Sequence, residues 1–365
     1  MYTVVDLFAG CGGGSMGFRK AGFAPVAAVE IDDLAAAAYE ANLGLRPIVR
    51  DIRDVSLDDL RAAGVVPGEL TLLFGCPPCQ SFTVLRRGQD ASAYDRRRND
   101  LIYEYLRMVR ELRPRHLAFE NVPGLVTGRW SSYFEVFRKM LADLEYKAVS
   151  HVVDAADYGV PQRRKRVLVV ASRVAEPQLP PATHHAPDAL PMPGQRLHLT
   201  VREAIGALRP LASGQRDPDD RFHVARRHSE IALRRLRAVP EGGGRADLPD
   251  DLVLACHRDH QGHYDIYGRM WWNQVAPTLT SGCTNVTRGR FAHPEQDRAI
   301  TLREAMLLQT FPSDAQLAGG VEAMALQVGN AVPSLLARRI GEQIAAMEAA
   351  SRSGALSAGL LEISI

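Results

Sequence analysis

Short apolar runs alternate with amphipathic stretches through the first 172 residues, the rhythm of strand–helix–strand units. Tyr2–Leu7, Pro25–Glu30, Ile48–Val49, Leu70–Phe74, Arg115–Phe119, His151–Asp154 and Val167–Ala171 read as strands. Asp33–Asn42 and Asp100–Leu112 carry helical spacing between them. The pattern predicts an α/β fold with a doubly wound, mostly parallel sheet. It changes near Arg173: Glu176–Pro193 is proline-rich, and Gly194–Leu254 has few strong periods. A helix is expected over Thr301–Thr310, with Thr301 and Glu304 placed for a capping box. A closing helix is expected over Leu335–Ala349. The expected organisation is a first domain of 1–172 and 320–349, an inserted smaller domain of 173–319, and a frayed tail of 350–365.

Composition narrows this picture. The chain has 365 residues, 46% hydrophobic and 24% charged, ordinary for a soluble globular protein. A formal net charge of +2 means that any affinity for nucleic acid must come from local arginine clusters. Five scattered cysteines argue for a reducing compartment rather than a disulfide framework. The start, MYTVVDLFAG, lacks the basic and long apolar regions of a signal peptide, and no stretch approaches a membrane span of about 18 apolar residues.

The chemistry gathers at strand ends. The first strand runs into FAGCGGGSMG, in which Gly12, Gly14 and Gly17 fit GxGxxG before a helical start. Such a turn lets backbone approach a ligand and offers N–H groups to it. Glu30 ends the second strand, placed for ribose hydroxyls. Asp51 ends the third, placed for an adenine amino group, with Ile52 against the ring face. The fourth strand stops at Gly75, and two prolines stiffen the turn to Cys79. Cys79 reads as a nucleophile; a buried hydrophobe, or a redox or metal pair with Cys76, are the blander readings. Glu120 ends the next strand, and a carboxyl buried there suits an acid if the two strands are neighbours.

Basic and polar clusters flank these ends. Gln80–Asn99 carries Arg86, Arg87, Arg96, Arg97 and Arg98, suited to phosphate. Arg163-Arg164-Lys165-Arg166 lies between two core strands. Arg226, Arg227, Arg234, Arg235 and Arg237 form a further basic stretch, equally readable as a solvated helix face. Among the interleaved aromatics of Tyr264–Arg290, Trp271 and Trp272 read as core. Arg269, Asn273, Thr278, Thr280, Asn285 and Arg288 are candidates for DNA contact. Cys256, His257, His260 and His263 match no zinc spacing, so no metal is assigned.

Taken in order, these blocks resemble the cytosine-5 DNA methyltransferases. They are DLFAGCGGGSMGF from Asp6, VEID from Val29, DI from Asp51, GCPPCQSF from Gly75, RND from Arg98, FENV from Phe119, YGVPQRRKR from Tyr158, TLREAMLLQTFP from Thr301 and QVGNAVP from Gln327. Departures are small: Cys76 stands where glycine is frequent, and Arg50 precedes Asp51 where glycine is common. The resemblance implies a Rossmann-like catalytic domain that uses S-adenosyl-L-methionine, and a target-recognition domain that reads the major groove. It implies Cys79 as the thiolate adding to carbon 6 of a flipped cytosine, and Glu120 at ring nitrogen 3, with Arg164 and Arg166 near the base. Phe8, Gly10, Gly12, Gly14, Glu30, Ile31, Asp51, Ile52, Pro78, Leu101 and Asn330 become the expected cofactor contacts. Ser81, Thr83, Arg86, Arg87, Arg97, Arg269, Asn273, Thr278 and Arg288 become the expected DNA contacts.

The implied protein methylates duplex DNA in the bacterial cytoplasm, as a monomer with no membrane partner, either beside a cognate restriction endonuclease acting separately or as a solitary modifier. Three other readings compete. A tRNA-modifying branch shares the chemistry, but its Cys-Phe-Thr mark is absent. A non-catalytic DNA-binding relative would have lost Cys79 or Glu120. A nicotinamide dehydrogenase leaves the PPCQ, ENV and QRRKR blocks unexplained, and Glu30 comes earlier than its spacing requires.

Overall fold

The computed structural model describes residues 1–78, 99–127, 130–254 and 264–362. They fall into two compact units. The first comprises Met1–Asp154, Lys165–Pro181 and Ser334–Ile365; the second comprises Ala155–Arg164 and Ala182–Pro333.

The first unit is an α/β sheet in chain order β1 (Tyr2–Leu7), α1 (Gly13–Lys20), β2 (Phe23–Glu30), α2 (Asp33–Leu43), β3 (Ile48–Val49), α3 (Leu57–Ala62), β4 (Leu72–Gly75), α4 (Leu101–Leu112), β5 (His116–Asn121), α5 (Ser131–Asp143), β6 (Lys147–Asp154) and β7 (Lys165–Ser172). The strands line up β3-β2-β1-β4-β5-β7-β6. From β3 to β5 every pairing is parallel; β7 runs antiparallel to both β5 and β6. The order reverses between β1 and β4, the place where open sheets of this kind bind ligands.

Each element has a local cause. Gly12 takes φ 88° at the start of α1, a left-handed backbone that favours glycine. Asp32 caps α2 by accepting from the Ala35 amide at 2.7 Å. The stripe Ile102, Tyr105, Leu106, Val109 and Leu112 buries one face of α4 against β-strand residues Leu73, Leu117 and Phe119. Each such side chain contributes roughly 1.5–3 kcal/mol. Gly17 lets α1 meet the C-terminal helix, Ser334–Glu362, because a Cβ there would lie 2.1 Å from the Ser334 carbonyl oxygen. That helix continues to Glu362, where a frayed tail from residue 350 was expected; its alanine-rich sequence favours the helix.

The second unit holds short helices: α6 (Val201–Ile205), α7 (Glu230–Ala238), α8 (Leu302–Leu308) and α9 (Val321–Asn330). Capping boxes of Thr200 with Glu203 and of Thr301 with Glu304 start α6 and α8. Arg298 is fully buried and forks onto both Glu304 oxygens at 2.8 and 2.7 Å. The compact units depart from the expected boundaries at two points. Ala155–Arg164 joins the second unit, where the Arg163 amide donates to the Ala276 carbonyl at 2.8 Å. The chain leaves that unit at Ser334 rather than at 320, since α9 packs with α8 and Gln309 Nε2 donates to the Val328 carbonyl at 2.7 Å.

Candidate active site

The parallel register aligns the carboxyl ends of the strands. Leu7 pairs with Val29 on β2 and with Gly75 on β4, and Gly75 pairs with Phe119 on β5. The glycine turn, Glu30, the Pro77-Pro78 turn and Glu120 therefore leave one edge of the sheet together. β4 and β5 are neighbours, which is the condition the sequence left open for Glu120.

Glu120 is buried, at 1% exposure. Cys76 Sγ donates to its Oε2 at 3.0 Å. Arg166 Nε stands 2.9 Å from Oε1. That approach is an ion pair without hydrogen-bond alignment, and Oε1 takes no hydrogen bond among the described residues. Arg166 reaches Glu120 because β7 is antiparallel. Glu120 pairs with Leu168 and Asn121 with Val167, so the residue before Val167 arrives at the carboxyl ends of its neighbours. Asn121 Nδ2 donates to the Pro77 carbonyl at 3.2 Å and fixes the proline turn from β5. Cys79 itself lies outside the described residues.

The nucleotide side is equally ordered. Glu30 Oε2 accepts from the Gly10 amide at 2.7 Å, and Oε1 accepts from the Ile31 and Asp32 amides, both at 2.9 Å. Three of about four carboxylate lone pairs are used, leaving one for a hydroxyl donor. Ile31 is 65% exposed beside it, an apolar side chain at the surface. The space above Gly10, at φ 56°, is open. Asp51 accepts from the Arg53 amide at 3.0 Å and its guanidinium at 2.8 Å, and Ile52 is buried. Phe8 takes φ 60° just before the turn; Gly14 lies in the first turn of α1, Leu101 opens α4, and Pro78 ends the described β4 turn. These residues fit a nucleoside with vicinal hydroxyls and a flat base.

Beneath the glycine turn, Ser15 Oγ donates to Asp6 Oδ2 at 2.6 Å and receives Tyr39 Oη at 2.9 Å. Burial pushes the Asp6 carboxyl up to about 7; the Ser15 hydrogen bond opposes the shift and the Glu30 charge adds to it.

The remaining expected residues scatter. Arg164 belongs to the second unit, 3% exposed, with Nη1 donating to the Leu279 and Gly329 carbonyls at 3.3 Å each. Asn330 ends α9, exposed, in the same unit. Arg269 is not a surface contact. It is 3% exposed, and its guanidinium serves the carbonyls of Leu236, Val239, His293 and Gln296, with Asp297 as counter-ion. Its role is to hold the interior of the second unit. Asn273 is exposed and accepts from Arg202 Nε at 3.2 Å; Thr278 donates to the Arg163 carbonyl at 2.6 Å; Arg288 is exposed. Ser81, Thr83, Arg86, Arg87, Arg97 and the Cys256–His263 cluster lie outside the described residues.

Sequence reasoning missed three supports. Cys76 and Asn121 brace the Glu120 turn as described. Arg107 Nη2 donates to the Ile52 and Val55 carbonyls at 2.7 and 3.1 Å, fixing the turn after Asp51. Its spacing to Glu104 and Glu111 was a visible signal of a constrained side chain.

Comparison with known proteins shows the family of the chain. The family described as C-5 cytosine-specific DNA methylase matches residues 2–346. The Type II methylase M.HgiDII of Herpetosiphon aurantiacus is 37% identical over 350 residues, 94% of each chain. The Type II methyltransferase M1.HphI of Haemophilus parahaemolyticus is 32% identical over 345 residues, covering 94% of this chain and 87% of that one. A solved structure of a putative DNA modification methyltransferase encoded within an E. coli prophage shares the fold, with a TM-score of 0.69 at 22% identity. It covers 95% of this chain and 99% of that one.

Proposed function

The chain belongs to the C-5 cytosine-specific DNA methylase family, and from that premise we propose that it methylates a target cytosine through the carboxyl-edge residues, with S-adenosyl-L-methionine as methyl donor. The observation that carries the reading is the buried Oε1 of Glu120, an acceptor without a hydrogen bond among the described residues, beside a proline turn that leads to Cys79. A buried polar atom left in this way calls for a partner from a ligand.

Carbon 5 of cytosine is a weak nucleophile. The Cys79 thiolate adds to carbon 6, and the electron pair pushed into the ring makes carbon 5 nucleophilic. A proton carried on the Glu120 carboxyl passes to ring nitrogen 3 as negative charge develops there, and Arg166 holds the carboxyl in place. The bound cofactor would supply a methyl group on a cationic sulfur. Water then takes the carbon 5 proton as base; the electron pair of that bond re-forms the 5,6 double bond and expels the Cys79 thiolate. Glu30, with its remaining lone pair, holds the ribose of the cofactor; Ile31 and Ile52 flank its base, and the open space above Gly10 admits it. The target base must leave the duplex to reach this edge.

The second unit is the recognition region. Asn273 and Arg288 are its exposed candidates for base or phosphate contact, and the sequence stretch with Arg86, Arg87 and Arg97 is a further candidate for phosphate contact. The relatives named as Type II enzymes support a modification role; action as a monomer on a short DNA site is part of the same proposal. Cys79→Ser is expected to abolish methyl transfer to DNA and to leave cofactor affinity unchanged in calorimetric titration. Turnover equal to the parent would remove Cys79 from the nucleophile role.

A further inference from the structure

Cys76 follows β4 directly, one residue beyond the Gly75–Phe119 pair, and so stands level with Glu120 on the neighbouring strand. Its backbone is held from two sides. Gly75 before it is in the sheet; Pro77 after it restricts Cys76 to extended conformations, and the Pro77 carbonyl is tied to Asn121 on β5. The Cβ of Cys76 is thus aimed by three elements, and its Sγ donates to Glu120 Oε2 at 3.0 Å.

The opposite oxygen faces Arg166 Nε at 2.9 Å without taking an aligned hydrogen bond. A guanidinium prefers to fork onto both oxygens of a carboxylate, because two parallel N–H bonds are stronger than one. Here the fork is not made. Oε2 is held on the β4 side by a thiol, and Oε1 is left with lone pairs directed elsewhere.

We propose that Cys76 is a positioning residue for methyl transfer: its S–H holds Oε2 on the β4 side, prevents Glu120 from closing a bidentate fork with Arg166, and keeps Oε1 open for ring nitrogen 3 of the cytosine. The proposal rests on the reading of Glu120 given above. It assigns Cys76 no bond to substrate or cofactor. Without the thiol, the buried carboxyl has one strong neighbour left and turns toward it, so Oε1 is no longer placed to pass a proton to ring nitrogen 3. The loss falls on the chemical step, because the glycine turn, Glu30 and the recognition unit are untouched.

The test compares Cys76→Ala, Cys76→Ser and Glu120→Gln under reducing conditions, with labelled S-adenosylmethionine and duplex DNA. Cys76→Ala is expected to lower kcat about three- to ten-fold, the worth of one hydrogen bond to a charged group, with both KM values within about two-fold. Cys76→Ser keeps an O–H donor and is expected to recover most of the loss. Parental kcat in Cys76→Ala, with Glu120→Gln inactive, would overturn the positioning role alone. A fall in kcat that serine does not rescue and that tracks a lowered melting temperature would also overturn it, as a packing effect. Parental activity in Glu120→Gln would overturn the Glu120 reading, and the proposal with it.

Discussion

Glu30 holds the glycine turn, and on the proposed reading the same carboxylate faces the nucleotide. Its bond to the Gly10 amide shapes the turn, and its remaining lone pair is the one proposed for the ribose. Glu30→Ala is therefore expected to weaken cofactor binding at least about 10-fold, a charge-assisted hydrogen bond and some loop order being lost together. DNA affinity should stay at the parental value; calorimetry showing unchanged cofactor affinity would count against this role. Asp6, beneath the same turn, gives a pH signature. Its folded-state pKa of about 7 lies above the ordinary 3.8, so the stability it contributes is full below about pH 4 and is lost as pH rises through about 7. Asp6→Asn is expected to flatten that slope. Relative to the parent, the variant should gain on the order of a few kcal/mol between pH 5 and pH 8. Parallel melting curves across that range would show that Asp6 does not titrate with folding. Both acids were visible as residue types, but only Glu30 was readable as functional. Position at a strand end is a sequence feature, whereas the burial of Asp6 depends on Ser15 and Tyr39 arriving from other turns of the chain.

At the scale of elements, β1 to β5 were legible because apolar runs ended in glycine, acid or proline at each turn. The antiparallel direction of β7 was not. Val167–Ala171 is apolar throughout, and a strand buried on both faces carries no mark of its direction. Yet that direction brings Arg166 to Glu120, while Arg164, two residues earlier, is held by carbonyls of the second unit. Arg269 was misread for a related reason. A guanidinium among aromatics looks like a DNA contact until the fold surrounds it with carbonyl oxygens that need donors. Three arginines of the basic stretch near α7 have acidic partners at the surface instead: Arg234 pairs with Asp251, Arg237 with Glu230, and Arg226 with Glu322. The packing of α1 on the C-terminal helix turns on Gly17. Gly17→Ala should cost roughly 1–3 kcal/mol or more in urea unfolding, because the added methyl meets backbone rather than a movable side chain. An unchanged midpoint would mean the two helices part without cost.

On the scale of the whole molecule, the chain interrupts one compact α/β unit with another of a different kind, and returns to the first in its last helix. The interruption was legible as a loss of period after Arg173; its ends were not. Gln162 donates to Gln309 at 3.0 Å, a contact between residues 147 apart that no local pattern announces. On the proposed reading, Cys79 and Glu120 belong to the first unit and choice of site to the second. Among the described residues no helix is long and apolar enough to cross a membrane. The proposed reaction is methyl transfer to carbon 5 of cytosine in DNA at a sequence chosen by the second unit. Base-resolution mapping of methylcytosine tests it most directly, on unmethylated plasmid and unmodified tRNA incubated separately with the protein and S-adenosylmethionine, and with Cys79→Ser in parallel. The account predicts methylcytosine confined to one short DNA motif, none on tRNA, and none with Cys79→Ser. Methyl groups on tRNA alone, or on neither nucleic acid, would contradict it.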